Sequence, residues 1–189
     1  MLLDATKAFD CVAYTALFNR LLSIGLCPLI TRVLLYMHVS QQVCVKWSGL
    51  VSECFSASNG VKQGGVLSPV LFSVYTDIML SRLRQCGAGC HVGNVFCGAL
   101  AYADDVVILA PNRTALTCML SIAQDSALQL KLRFNGSKSQ YLVFRRKGSS
   151  FPVNASISFC STTKFASSVG FTLEISREFR LAVIVSSMQ

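Results

Sequence analysis

Hydrophobic and polar positions along this chain switch between a period of two and a period near 3.6, and the switches mark its elements. Residues 95–103 and 106–110 are apolar runs separated by Asp104 and Asp105. Two short apolar runs around a polar pair predict a β-hairpin with the acids at its tip. Residues 1–9 open as a short apolar strand that turns polar at Asp4. Over 15–26, Leu17, Phe18, Leu21 and Leu22 recur at helical spacing as far as Gly25, and Asp10 is placed to cap that helix near Tyr14. A second helix is expected from Pro28, a favoured first residue, through Ile30, Val33, Leu34 and Met37. Residues 41–46 and 50–55 alternate as two strands joined through Lys46, Trp47, Ser48 and Gly49.

A glycine-rich stretch from Ser58 leads into a helix with Ser68 as cap and Pro69 in its first turn, carried on by Val70, Leu71, Val74, Ile78, Leu80 and Leu83. A loop over 87–93 returns to the hairpin. Residues 114–130 read as another helix with Thr114 as cap, 134–138 as a turn, and 141–144 as a strand. After the basic cluster Arg145, Arg146 and Lys147, residues 149–189 are rich in serine and lose clear periodicity. Strand, helices, strand pair, loop and helix, hairpin, helix and strand add up to an α+β fold with helices on one face of a sheet.

Composition sharpens this picture. At 189 residues the chain can bury a real core. Hydrophobic residues make up 52% and charged ones 14%, with a mean hydropathy of +0.52, so apolar surface is expected to await a partner or a further segment. The net charge of +8 favours a polyanionic partner such as nucleic acid. Nine cysteines with two histidines and no Cys-x-x-Cys pair argue against zinc; Cys86, Cys90 and His91 come nearest and lack a fourth ligand. The cysteines are expected as reduced, small core residues of an intracellular protein. Asp4 precedes any apolar run long enough for a signal peptide, and Pro28 and Arg32 interrupt the greasiest window, so no membrane association is expected. Met1 stands three residues before Asp4, which suggests that further sequence lies upstream.

An Asp-Asp pair alone reads as an ordinary solvated turn. If the N-terminal strand lies beside the hairpin, however, Asp4 joins Asp104 and Asp105. Carboxylates that close repel one another until a proton or cation intervenes. Their hard oxygens suit two divalent ions about 3.5–4 Å apart, and magnesium in particular. The Gly60–Gly65 loop permits close backbone approach to a ligand, with Gln63 in reach. Lys138 can supply a cation or a proton to a departing pyrophosphate.

Four segments in order carry a more specific signal. Leu3-Asp4-Ala5-Thr6-Lys7-Ala8-Phe9-Asp10, Asn59-Gly60-Val61-Lys62-Gln63-Gly64-Gly65-Val66-Leu67-Ser68-Pro69, Tyr102-Ala103-Asp104-Asp105 and Phe134-Asn135-Gly136-Ser137-Lys138 resemble the motifs of reverse transcriptases from non-LTR, LINE-like retrotransposons. The resemblance implies a right-hand polymerase palm over 1–147, with a split βαβ-type antiparallel sheet and helices on one face. On this resemblance fingers and thumb would be largely absent, and 148–189 would be a degenerate primer-grip and start-of-thumb-like tail. It implies an RNA-directed DNA polymerase in which Asp4 and Asp104 ligate two magnesium ions (manganese as the alternative). Asp105 would stand beside them and the Ala5 carbonyl would help. Phe9 would exclude a 2′-hydroxyl, Gln63 and Gly64 would line the nucleotide and template pocket, and Lys138 would assist pyrophosphate departure. The implied partners are an RNA template, a DNA primer, deoxynucleoside triphosphates and the fingers and thumb segments of a longer polyprotein. Residues 163–171 match the primer grip only loosely, which motivates an alternative: a catalytically inactive retroelement remnant that at most binds nucleic acid.

Overall fold

The computed structural model describes residues 1–142 and 144, together with the backbone of three short strands at 158–159, 163–164 and 168–169. In chain order the elements begin with β1 (Leu2–Leu3), a 3-10 turn (Phe9–Cys11), α1 (Tyr14–Ser23) and α2 (Pro28–Val39). Four short strands follow, β2 (Gln42–Val43), β3 (Lys46–Trp47), β4 (Leu50–Val51) and β5 (Phe55–Ser56), then α3 (Ser68–Gln85). Next come β6 (His91–Val92), β7 (Val95–Phe96), β8 (Ala99–Tyr102), β9 (Asp105–Ile108), α4 (Arg113–Gln129) and β10 (Tyr141–Leu142). The molecule is thus α+β with small sheets, antiparallel except where β10 pairs in parallel with the 168–169 strand.

The sheet that matters runs β1-β9-β8. Leu2 lies opposite Val107 and Leu3 opposite Val106, and the hairpin closes with Tyr102 opposite Asp105. Met1 extends the ladder by exchanging backbone hydrogen bonds with Ile108. On the other edge of β1, Leu2 and Gln140 exchange two bonds, and an antiparallel bridge joins Ala5 to Phe134. Side chains alternate across a strand. Leu3, Val106 and Ile108 point to one face and are almost wholly buried, whereas Leu100 and Tyr102 on the opposite face stay exposed, Tyr102 at 86%.

The buried face meets the helices. Phe72, Tyr75, Met79 and Leu83 of α3 and Met119, Leu120, Ala123 and Ala127 of α4 join Leu3, Val106 and Ile108 in a single core. Their spacing of three and four keeps them on one stripe of each helix. Tyr75 also pins the helices by polar means: its hydroxyl donates to the Leu130 carbonyl (2.6 Å) and accepts from the Ala13 N–H (3.3 Å). Both partners are helix-end backbone groups that lack a helical mate.

Helix ends differ from the sequence reading. Asp10 lies in the 3-10 turn, and Ala13 precedes α1 without a side-chain cap. Ser68 is inside α3, where its hydroxyl bonds the Lys62 carbonyl instead of capping. Asn112, not Thr114, caps α4 by accepting from the Ala115 N–H at 2.8 Å. Ser68 thus spends its hydroxyl on a nearby loop carbonyl, and Asp10 accepts from the distant Gln63 side chain. Residues 95–103 do not form one strand: β7 pairs with β6, and only 99–102 enter the hairpin.

The cysteine expectation also needs correction. Cys44 and Cys54 form a disulfide across the β2–β5 ribbon, and Cys27 and Cys118 are exposed rather than core residues. The two disulfide cysteines continue the β2–β5 register, which places them face to face. Apolar exposure is large, as composition suggested: Trp47, Leu50, Tyr36 and Leu29 are all more than half exposed. No helix among the described residues is long and apolar enough to cross a membrane. The basic cluster at 145–147, and nearly all of the tail expected at 148–189, lie outside the described residues.

Candidate active site

Asp4 directly follows β1, so the β1–β9 register carried one residue further sets it opposite Asp105. Opposed residues share a face of a sheet. With Leu3 and Val106 turned into the core, Asp4 and Asp105 turn to the open face. Asp104 sits in the two-residue turn behind Ala103, whose φ of 52° is left-handed. A non-glycine residue held there stores roughly 1–2 kcal/mol of strain. Asp4 and Asp104 are half-buried and Asp105 is exposed.

Asp105 senses its acidic neighbours. The Asp105 carboxyl is held above its ordinary range, first by lost hydration and then by the charges of Asp104 and Asp4. Among the described residues the ion pair is elsewhere, Arg20 with Asp77. No lysine or arginine among them neutralises the acidic corner by a salt bridge. Such hard, uncompensated oxygens fit a divalent cation in donor chemistry. In spacing the set is open, because no group of three His, Cys, Asp or Glu side chains among the described residues is close enough to hold a metal ion.

The Ala5 bridge to Phe134 is of the non-hydrogen-bonded kind: the flanking bonds are Asn135 N–H to the Asp4 carbonyl (2.8 Å) and Thr6 N–H to the Arg133 carbonyl (2.8 Å). In such a pair the central residue's own carbonyl points away from its partner strand. The Ala5 oxygen is therefore left available on the side toward β9.

Next to this corner the 59–65 loop is docked onto the 9–12 turn. Gly60 N–H bonds the Val12 carbonyl (2.8 Å) and Val61 N–H the Phe9 carbonyl (2.9 Å). Gly60 has φ +89°, and a Cβ there would meet the Phe9 and Asp10 backbone at 3.0–3.1 Å, so both conformation and contact demand glycine. Gln63 is exposed and donates to the Asp10 carboxylate at 3.4 Å, and Gly64 takes a left-handed φ of +77° in open space. Phe9 is half-buried and stacks on Phe72 of α3, ring centroids 4.7 Å apart. Lys138 is exposed in the 135–138 turn that returns beside Asp4.

Sequence reasoning missed the residues that hold these groups in place. Phe72 was not singled out, yet it backs Phe9. Ser139 was not singled out, yet it is fully buried and bonds Asp4. Its one visible signal was position, directly after Lys138. Asp10 was read as a cap and is instead the partner of Gln63.

The chain matches the family model for reverse transcriptase (RNA-dependent DNA polymerase) over residues 1–173. It is 32% identical over 136 residues (72% of its length) to the retrovirus-related Pol polyprotein from type-2 retrotransposable element R2DM of Drosophila melanogaster, of which the match covers 13%. A type-1 retrotransposable element R2 polyprotein of Nasonia vitripennis is 31% identical over 64% of the chain and 12% of the relative. The 149 kDa protein of transposon TX1 from Xenopus laevis is 29% identical over 75% of the chain and 11% of the relative. The chain thus spans only about an eighth of the length of these relatives.

Proposed function

The chain belongs to the reverse transcriptase (RNA-dependent DNA polymerase) family, and from that premise we propose that it is the catalytic palm of an RNA-directed DNA polymerase. The observation that carries the reading is the β1–β9–β8 pairing, whose register continues Asp4 opposite Asp105 at the hairpin turn that holds Asp104, where lost hydration and then the charges of Asp104 and Asp4 raise the Asp105 carboxyl. Asp4 and Asp104, with Asp105 and the Ala5 carbonyl beside them, are the residues that would hold two magnesium or manganese ions. Bound ions of this kind make a hydroxyl more nucleophilic and offset charge on a departing phosphate.

The chain's own residues then divide the remaining work. The Asp4–Asp105 face receives the primer 3′-hydroxyl and the triphosphate of a deoxynucleotide. Phe9, backed by Phe72, forms a rigid apolar floor for the sugar that leaves no room for a 2′-hydroxyl. Gln63 and Gly64 sit where the incoming base meets the RNA template, the glycine allowing close backbone approach. Lys138 supplies positive charge to the leaving pyrophosphate from the far side of Asp4.

A second reading, a remnant that binds nucleic acid without catalysis, is favoured by the open spacing of the carboxylates. Primer extension on an RNA template with magnesium separates the two. Extension by the wild-type chain and its loss in Asp104→Asn supports the polymerase. Salt-dependent nucleic-acid binding with no extension in either protein supports the remnant.

A further inference from the structure

Asp4 lies one residue beyond β1, where regular strand pairing has ended, so something else must fix its backbone. The 135–139 turn does so on both sides. The Asp4 N–H donates to the Ser139 hydroxyl (3.2 Å), and the Asp4 carbonyl accepts from the Asn135 N–H (2.8 Å). The Ser139 hydroxyl in turn donates to the Asn135 carbonyl at 2.7 Å. The result is a closed ring of hydrogen bonds, Asp4 to Ser139 to Asn135 and back to Asp4. The turn inside the ring is itself tied by Asn135 Oδ1, which accepts from the Ser137 N–H (3.1 Å) and hydroxyl (2.7 Å). Ser139 is 0% exposed, so water cannot replace its hydroxyl. Polarised hydrogen-bond chains of this sort strengthen one another in a buried setting.

We propose that Ser139 is a positioning residue, whose hydroxyl sets the direction of the Asp4 carboxylate and couples it to the turn that carries Lys138. The proposal rests on the palm reading above. Removing the hydroxyl leaves the half-buried Asp4 N–H unpaired and frees the backbone torsions on which its side chain stands. Partners that orient a ligand without touching the ion commonly change metal affinity by 10–100-fold.

The test measures Mn2+ binding to the full chain by electron paramagnetic resonance, with thermal unfolding in parallel. Ser139→Ala is compared with Tyr75→Phe, which removes another buried hydroxyl, one bonded to Leu130 and Ala13 rather than to Asp4, and serves as the control for general destabilisation. Ser139→Ala is expected to weaken Mn2+ binding roughly tenfold, Tyr75→Phe to leave it unchanged, and Ser139→Thr to restore it. If Ser139→Ala does not fold, Ser139→Cys keeps the side-chain size with a poorer acceptor, and a weakened affinity is expected there. Wild-type affinity in the Ser139 variants, alongside loss in Asp4→Asn and Asp104→Asn, overturns the proposal and leaves the palm reading standing. Equal Mn2+ binding by the wild type and Asp104→Asn overturns both.

Discussion

Phe9 and Phe72 stack with their ring centroids 4.7 Å apart and their planes 18° from parallel. Phe72 is almost wholly buried in α3 while Phe9 is half-buried in the 9–12 turn, so the pair links the core to that turn. Phe72→Leu keeps much of the volume and removes the stack, at a cost of about 0.5–1.5 kcal/mol beyond lost area. Phe72→Ala leaves a cavity and should cost about 3–5 kcal/mol. Denaturant unfolding of both variants reads these differences. An alanine variant as stable as the leucine one contradicts the buried placement.

Gly60 is the point at which the 59–65 loop touches the turn behind Asp4. Gly60→Ala must hold a left-handed φ and press a methyl group into the Phe9 and Asp10 backbone. Strain alone is about 1–2 kcal/mol, and the contact adds to it. The expected outcome is a lower unfolding midpoint with faster amide exchange at Val61. Unchanged exchange there argues against the docked loop.

Tyr75 ties the start of α1 to the end of α4 through one hydroxyl. Tyr75→Phe leaves a buried N–H and a buried carbonyl without that partner, an expected loss of about 1–3 kcal/mol. Equilibrium unfolding checks it. A loss no greater than that of an exposed-site control means the hydroxyl is dispensable.

The acidic corner predicts a pH dependence with a definite sign. Because the folded Asp105 carboxyl is raised above its usual 3.8, the native state binds that proton more tightly than the unfolded chain. This group therefore disfavours the fold increasingly as pH rises from about 3.8 through the raised value, and not below it. Asp105→Asn should gain stability over wild type at neutral pH and lose the advantage in acid. Melting temperatures of both proteins across pH 3–7 test this, and a gap that is constant with pH contradicts it. The group is exposed, so solvent screening keeps the gap small.

Much of this was readable in the order of residues. The hairpin at Asp104 and Asp105, the strand before Asp4 and the helix starting at Pro28 follow from local period and turn chemistry, which act over a few neighbours. The start of α4 was misplaced because Asn112 and Thr114 are both competent caps, and only the backbone geometry at Asn112 chose between them. The Cys44–Cys54 pairing depended on strand register, which is a property of two segments rather than one.

By itself, the sequence determined which residues have the chemistry for the site: sparse carboxylates, a glycine-rich loop, an aromatic residue and a lysine in a recognisable order. The tertiary structure decided which of them meet and what holds them. Asp4 and Asp105 face each other because β1 pairs with β9 in one register, and a slip of one residue would send Asp4 to the buried face. Ser139 and Phe72 acquired their roles through contacts spanning 135 and 63 residues of chain, Asp4 to Ser139 and Phe9 to Phe72. Such contacts leave no local pattern, because their energy depends on packing between distant segments and not on the neighbours either residue has in sequence.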